Sequence, residues 1–205
     1  YKSCTVVGVK LSGLEDDFLI FATDMGDYLD IQKGLRAKVT SWRHVSDNSI
    51  PMRCKVNGAY ANAALIKTEA LDDGYDEAIV LTDDGHVSEG SAENIFLLRD
   101  GKLVTPPETD DILPGITRDT VITLAKEELG IPVEIRRIDR TELYIAEEAF
   151  FCGTGAQIAP IAEIDHRPLG DGSVGPVTKS LQKLYFKIVR GQVEKYMDWC
   201  TPVFI

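Results

Sequence analysis

Short runs of alternating or mostly apolar residues divide the chain into several candidate strands. Residues 35–42 alternate apolar and polar side chains, which is typical of a strand with one buried face. Other runs are rich in β-branched and aromatic residues, and two of them end at Asp-Gly turns, at 84–85 and 100–101. These patterns predict strands at 5–11, 17–23, 35–42, 77–82, 94–99, 133–138, 149–152 and 158–164.

Helical spacing of apolar residues is present in three segments. Residues 58–71 carry this pattern up to an Asp-Asp-Gly stop, and residues 117–129 carry a stronger one that ends at Gly130. A third segment, about 177–196, follows Pro176, a residue that suits the first turn of a helix. The apolar stripe of this third helix predicts contact with the core or with another subunit.

No internal repeat, low-complexity tract or Pro/Ser-rich linker divides the 205 residues. We therefore predict essentially one domain, residues 1–205, of the mixed α/β (α+β) class with many strands. Its hydrophobic content of 44% is ordinary for a globular protein.

Charge and composition argue against several functional classes. A formal net charge of −11 argues against nucleic acid as a partner, because nucleic-acid binders usually carry a basic surface. No apolar run approaches the roughly 20 residues that cross a bilayer, which argues against a membrane-spanning role. The four cysteines lie far apart and the three histidines accompany no nucleophile motif, so we expect a reducing, cytoplasmic location and no metal site.

Lys55 lies between a Pro-containing extended segment and the first predicted helix. We expect this position to bury the amine in part, which lowers the pKa of an ammonium group toward nucleophilic competence. Such a lysine can form a Schiff base with an aldehyde. Tyr60 follows little more than one helical turn later and could hydrogen-bond the phenolic oxygen of a bound pyridoxal. The plainer alternatives are a solvated surface charge and a core aromatic residue.

Glu89 lies in a run of small residues, Ser-Glu-Gly-Ser-Ala over 88–92, that an ordinary surface carboxylate would not need. A carboxylate beside a pyridine nitrogen keeps that nitrogen protonated, so that the ring withdraws electrons from a substrate carbon that loses its proton. Glu93 is the nearby competitor for this role. The plainer alternative for both residues is a solvated loop charge.

The segment 113–117 places Pro-Gly immediately before the second predicted helix. Free backbone N–H groups at Ile116 and Thr117, with the threonine hydroxyl, would hold a phosphate against the positive end of that helix. The alternative is an ordinary threonine N-cap after a turn. A second small-residue loop, 153–156, follows a predicted strand and could also meet an anion. Neither segment is a nucleotide-binding fingerprint.

These motifs, in this order, resemble the fold-type IV pyridoxal phosphate enzymes, and most of all the branched-chain amino-acid aminotransferases. The resemblance extends from about residue 35 to the C-terminus. It rests on matching blocks at 41–43, 50–60, 76–79, 87–90, 93–96, 105–107, 113–119, 153–157 and 175–179.

The resemblance implies a role for each matching position. Lys55 is implied as the lysine that forms the aldimine with pyridoxal 5'-phosphate and shuttles protons, with Glu89 at the ring nitrogen and Tyr60 at the phenolic oxygen. The remaining implied contacts are Leu113 on the ring face, Ile116, Thr117 and Thr154 at the phosphate, and Thr154 and Gly155 at the substrate carboxylate. Tyr1 is implied as the tyrosine of the family's Tyr-x-Arg substrate motif, in which Ser3 replaces the arginine.

The implied fold is the large C-terminal domain of such an enzyme, a pseudo-barrel of strands surrounded by helices. Residues 1–34 would be the end of, or a linker from, a smaller N-terminal domain that supplies a phosphate-binding arginine and much of the side-chain pocket.

The implied reaction moves the amino group of a branched-chain L-amino acid (leucine, isoleucine or valine) to 2-oxoglutarate, a 2-oxo acid, in a homodimer or higher homo-oligomer. One alternative keeps the fold but makes the protein a D-amino-acid or amine transaminase or an aminodeoxychorismate lyase. Another is an inactive cofactor-binding fragment that lacks the small domain.

Overall fold

A mixed sheet of nine strands forms the centre of the computed structural model, which describes residues 1–5, 7–24, 26 and 28–202. The strands in chain order are β1 (Lys2–Ser3), β2 (Glu15–Asp16), β3 (Leu35–Arg43), β4 (Glu77–Leu81), β5 (Val87–Gly90), β6 (Asn94–Arg99), β7 (Lys102–Thr105), β8 (Val133–Ile135), β9 (Glu148–Gly153), β10 (Gln157–Ile164) and β11 (Arg167–Pro168). Across the sheet they run in the order β5-β4-β3-β10-β9-β6-β7-β8, with β11 beside β10. The first two strands form a separate antiparallel pair.

The described residues form three α-helices beside the sheet: α1 (Tyr60–Asp72), α2 (Ile116–Glu127) and α3 (Pro176–Val189). Shorter 3₁₀ helices lie at Asn57–Ala59, Glu108–Asp110, Arg140–Ile145 and Glu194–Trp199. No described helix combines the length and the apolar content that a bilayer crossing requires.

The two edges of the sheet meet and close it. The backbone N–H of Val87, in β5 at one edge, donates to the carbonyl of Ile138 at 2.9 Å, a few residues beyond β8 at the other edge. His86 and Asp139 form a β-bridge at the same place. Closure leaves few unpaired edge groups, which is how barrels avoid exposed edges. The predicted mixed α/β fold with a pseudo-barrel of strands is therefore confirmed.

Strand β4 shows why the sheet is buried on both faces. Ile79 and Leu81 face the interior of the barrel, where they join the main apolar cluster. Ala78 and Val80 face outward, where they pack against Ile66 and other residues of a second cluster under α1. A strand covered on both faces carries consecutive apolar residues, here 78–81, instead of alternating, and this one pairs in parallel with β3.

Helices α2 and α3 cover the same outer face of the sheet over other strands, namely β6, β9 and β10. Leu124 of α2 and Leu181 of α3 are fully buried in a cluster that also contains Phe150 of β9. Helix α2 begins after Gly115, which is extended, and the chain turns away at Gly130, whose φ is +63°. The apolar stripe of α3 is thus a core contact, one of the two predicted possibilities.

Several predicted elements were too long or in the wrong place. The described residues of 5–11 and of 17–23 form no strand; Val6 lies outside the described residues. The strands that the described residues form in this region are β1 and β2, each two residues long. Phe18 and Ile20 are more than three quarters exposed, so no packing against a neighbouring sheet stabilises an extended conformation here. The predicted helix at 177–196 ends early, because Gly191 has a φ of +65°.

Candidate active site

One cavity of about 590 Å³ lies where the loop before α1, the β5–β6 turn, the start of α2 and the β9–β10 hairpin meet. Most of the residues that the sequence assigned to a cofactor or a substrate line it: Lys55, Tyr60, Glu89, Leu113, Ile116, Thr117, Thr154 and Gly155. Tyr1 is not among the lining residues; it is exposed, and its amino group donates to the carbonyl of Asp17 at 2.9 Å. The individual roles of these residues stay predictions.

Lys55 is presented by a loop that is tied to the segment before α2. The Arg53 guanidinium contacts Asp47 Oδ2 at 2.5 Å, and the Asp47 backbone N–H donates to Asp111 Oδ1 at 2.8 Å. The Lys55 Nζ lies 5.7 Å from the centroid of the Tyr60 ring. Because the cavity opens to solvent here, Lys55 is exposed rather than partly buried, so that expectation is wrong for this chain.

Glu89 is a buried carboxylate whose position is fixed from three directions. The side-chain amide of Asn94 donates to Glu89 Oε2 and to the Leu113 carbonyl, both at 2.8 Å. The Leu113 backbone N–H also donates to Glu89 Oε2, at 3.3 Å. On the other oxygen, His44 Nε2 lies 3.3 Å from Glu89 Oε1. These contacts aim the carboxylate into the cavity and link it to the segment that leads into α2.

Burial and mutual attraction shift the pKa of both members of the His44–Glu89 pair. Burial raises the pKa of Glu89, and the hydrogen bond and charge of His44 oppose this only in part. Burial alone lowers the pKa of His44, but the hydrogen bond and charge of Glu89 together outweigh it and the net pKa is raised. The pair therefore retains a proton more readily than either group would alone.

The start of α2 presents to the cavity backbone donors that bond to no acceptor in the part of the chain that the structure describes. Asp119 is the first residue of the helix whose N–H reaches back to a carbonyl, that of Gly115, at 3.1 Å. The N–H groups of Ile116 and Thr117 precede this first bond, so they are available to an anion at the positive end of the helix. Burial raises the pKa of Tyr185, and the Thr117 side chain opposes this rise in part.

Gly115 is required here by close packing. A Cβ at this position would overlap the Oδ1 of Asn94, the residue that links Glu89 to the carbonyl of Leu113. We expect Gly115→Ala to lower the free energy of unfolding by roughly 2 kcal/mol, measured by urea denaturation, because overpacking displaces this bridge. Gly58→Ala is the matched control, since a Cβ at Gly58 meets nothing within 4 Å. Equal stability of the two variants would contradict the packing argument.

Glu93, the competitor of Glu89, lines the same cavity. Its Oε2 accepts a hydrogen bond from the Ala92 N–H at 3.1 Å, whereas its buried Oε1 has no hydrogen-bond partner among the described residues. Burial, followed by the charge of Glu77, raises the pKa of Glu93 to about 8. Glu77 is itself fully buried and accepts from Lys67 Nζ at 2.6 Å. The cavity thus contains two carboxyl groups in different electrostatic settings.

The raised pKa of Glu93 makes stability depend on pH. Between its ordinary pKa of 4.5 and about 8, the folded protein binds more protons at Glu93 than the unfolded chain, so rising pH removes stability. We expect Glu93→Gln to gain at least about 1.4 kcal/mol in free energy of unfolding relative to wild type between pH 5 and pH 8. Urea denaturation at both pH values measures this gain. Asp83→Asn, on an exposed turn, is the control. If the free energies of unfolding of Glu93→Gln and wild type change equally with pH, the effect is excluded.

Two functional contacts were missed by sequence reasoning. Asn94 lies inside a matching block, but only the structure shows that its amide bridges Glu89 and Leu113. His44 carried no signal at all, because its contact with Glu89 joins the end of β3 to β5, two strands that are not neighbours in the sheet. Neither residue has a spacing in the sequence that predicts the contact.

Comparison with known proteins places the chain in a family. Residues 7–164 match the family model described as amino-transferase class IV. A probable branched-chain-amino-acid aminotransferase of Aquifex aeolicus is 54% identical over 195 residues, which cover 95% of this chain and 63% of that relative. A branched-chain-amino-acid aminotransferase of Pseudomonas aeruginosa is 44% identical over 96% of this chain and 64% of its own length. The chain thus spans less than two thirds of the length of these curated relatives.

Solved structures agree with this match. A branched-chain aminotransferase from Thermoproteus uzoniensis, crystallised with norvaline, superposes with a TM-score of 0.85 at 49% identity, over 89% of this chain and 60% of the other. The enzyme from Thermobaculum terrenum in its PLP form gives a TM-score of 0.82 at 45% identity, over 84% of this chain and 56% of the other. On the family match and these identities, the chain belongs to the class IV aminotransferases.

Proposed function

We propose that the whole protein to which this chain belongs is a pyridoxal 5'-phosphate-dependent aminotransferase that acts on branched-chain L-amino acids and uses 2-oxoglutarate as amino acceptor. The observation that carries the proposal is the single cavity in which an amine, a buried carboxylate and the start of a helix face one another. The names of the similar proteins support the substrate class.

The residues present fit this cofactor. Lys55 is the one lysine among the described residues that line the cavity, and it offers the amine that an aldehyde needs. Ile116 and Thr117, at the start of α2, line the cavity, and their backbone N–H groups suit a phosphate. Glu89 offers an acceptor oxygen beside the hydrogen bonds that it already receives. The bound cofactor supplies an electron sink that stabilises negative charge at the substrate carbon.

Each group of this chain then has a defined task. Lys55 would hold the cofactor through its aldehyde and, once the substrate amine has displaced it, would take a proton from the substrate α-carbon. The Glu89 carboxylate would keep the pyridine nitrogen of the cofactor protonated, and the Tyr60 hydroxyl would hydrogen-bond its phenolic oxygen. The remaining contacts are Leu113 against the ring face, Ile116, Thr117 and Thr154 at the phosphate, and the Thr154–Gly155 backbone at the substrate carboxylate.

The proposal includes a cytoplasmic location and a homodimer or higher homo-oligomer. Cys54, Cys152 and Cys200 form no disulfide bond, which suits a reducing compartment. Apolar side chains of the N-terminal segment, among them Phe18 and Phe21, are exposed in this chain and offer surface for a subunit contact. Size-exclusion chromatography with light scattering measures the oligomeric state directly.

The function is tested by transamination with the full-length protein. With pyridoxal 5'-phosphate and 2-oxoglutarate, we expect leucine, isoleucine and valine to yield glutamate, whereas D-alanine yields none and aminodeoxychorismate is not cleaved. Glutamate formation only from D-alanine, or cleavage of aminodeoxychorismate, would assign one of the alternative activities on this fold. The same assay on the 205-residue chain alone tests the remaining alternative, a fragment that binds the cofactor without turnover.

A further inference from the structure

His44 is a buried side chain whose two ring nitrogens both face acceptors. It lies at the end of β3, is 6% exposed, and its backbone N–H donates to the Leu81 carbonyl at 2.9 Å. Its Nδ1 lies 3.2 Å from the carbonyl oxygen of Val45, and its Nε2 lies 3.3 Å from Glu89 Oε1. The sequence assigned no role to this residue.

These two contacts fix the number of protons that the pair holds. A carbonyl oxygen has no hydrogen to give, so the Nδ1 of His44 must carry one. A neutral imidazole would then turn the lone pair of Nε2 toward Glu89 Oε1, and an ionised Glu89 would leave two acceptors facing each other. One further proton, on His44 or on Glu89, removes this conflict.

The surroundings of Glu89 favour His44 as the site of that proton. Glu89 Oε2 already accepts two hydrogen bonds, from Asn94 and from the Leu113 N–H, and both stabilise the ionised carboxylate. The positive charge of Lys55 acts in the same direction on Glu89, whereas burial raises the pKa of Glu89 and acts against it. A proton on His44 gives Glu89 Oε1 a donor while Oε2 keeps both of its own, so the contacts of both oxygens suit an ionised carboxylate.

Other charged groups contribute to the field around the pair from separate elements. Asp111, before α2, adds negative charge at His44 and so favours the imidazolium. The negative charge of Glu89 raises the pKa of both Glu93, immediately before β6, and Arg118, in α2. Among the described residues, Glu89 is the carboxylate that lies within ion-pairing distance of His44.

We propose that His44 is a positioning residue that keeps Glu89 in the carboxylate form. Glu89 then accepts a hydrogen bond from a protonated pyridine nitrogen of the cofactor, instead of donating its own proton to an unprotonated one. This inference rests on the proposed function and adds a specific dependence to it. When His44 loses its proton at high pH, the Nε2 lone pair faces the Glu89 carboxylate. The carboxylate is then less well stabilised as a partner for the protonated pyridine nitrogen of the cofactor.

The direct test uses the cofactor-free protein and does not depend on turnover. In a protein labelled with ¹⁵N at histidine, we expect correlation spectra near pH 7.5 to show both ring nitrogens of His44 protonated. The spectrum of His44→Gln assigns the signal against those of His86 and His166. A neutral His44 ring with an unprotonated Nε2 at this pH overturns the inference, whether or not the protein transaminates leucine.

The second test compares variants in the full-length enzyme. Arginine at position 44 carries a permanent charge, so we expect His44→Arg to move the alkaline limb of the kcat profile upward by at least about one pH unit. His44→Gln retains a neutral donor without the charge, and we expect kcat to fall about tenfold across the profile. An alkaline limb that stays at the same pH in both variants overturns the inference, since a merely structural role would leave the limb in place.

Discussion

Replacing Lys55 with alanine is expected to abolish transamination, with a loss of at least about 10³-fold in kcat. The variant should also lose the visible absorbance that a lysine-bound pyridoxal gives. The reason is that Lys55 is the one lysine among the described residues lining the cavity, and no neighbouring amine can take its place. Borohydride reduction followed by peptide mass spectrometry measures the attachment point directly.

Lys126→Ala is the matched control for this result, because Lys126 lies on the exposed side of α2. We expect this variant to keep both the absorbance and the reduced adduct. A Lys55→Ala protein that retains the visible band, or an adduct trapped on another lysine, would remove Lys55 from the proposed role while leaving the family assignment intact.

Glu89→Gln is expected to lower kcat by about 10²–10³-fold with the fold preserved. Glutamine can still accept hydrogen bonds from Asn94 and from the Leu113 N–H, so the packing of the site survives the exchange. The negative charge that keeps a ring nitrogen protonated is lost, however. Stopped-flow measurement of proton removal from the leucine α-carbon isolates the affected step.

Glu93→Gln provides the comparison within the same cavity. If Glu89 faces the ring nitrogen, its exchange should cost at least tenfold more in kcat than the exchange of Glu93. The reverse order would give the role to Glu93, the competitor that the sequence could not set aside. The two carboxyl groups differ in their surroundings, since Glu89 receives three contacts whereas Glu93 Oε1 receives none from the described residues.

Local patterns were sufficient to predict elements whose apolar face is covered by nearby structure. The strand predicted at 94–99 forms as Asn94–Arg99, and the helix predicted at 117–129 forms as Ile116–Glu127. The strand predicted at 133–138 is shorter, because after Ile135 the chain leaves the sheet before Ile138 meets Val87. Residues 17–23 have strand-like composition but no partner strand, so propensity alone was misleading.

The site shows the same division between local and distant information. The start of α2 and the lysine loop were recognisable from adjacent residues such as Pro114 and Gly115. The contacts that set the charge of Glu89 join positions far apart in the chain, as with His44, and periodicity carries no information about them. A contact of this kind becomes predictable only when the order of strands in the sheet is known.

The closure between Val87 and Ile138 links global architecture to local chemistry. Glu89 lies two residues beyond the hydrogen bond that joins the edges of the sheet, on a four-residue strand whose other neighbour is β4. Transient opening of the barrel at this junction would release the strand that carries the Glu89 carboxylate. The stability of this junction therefore bears on how much of the time the cavity is assembled, and amide exchange at Val87, whose N–H forms the closing bond, measures the free energy of opening.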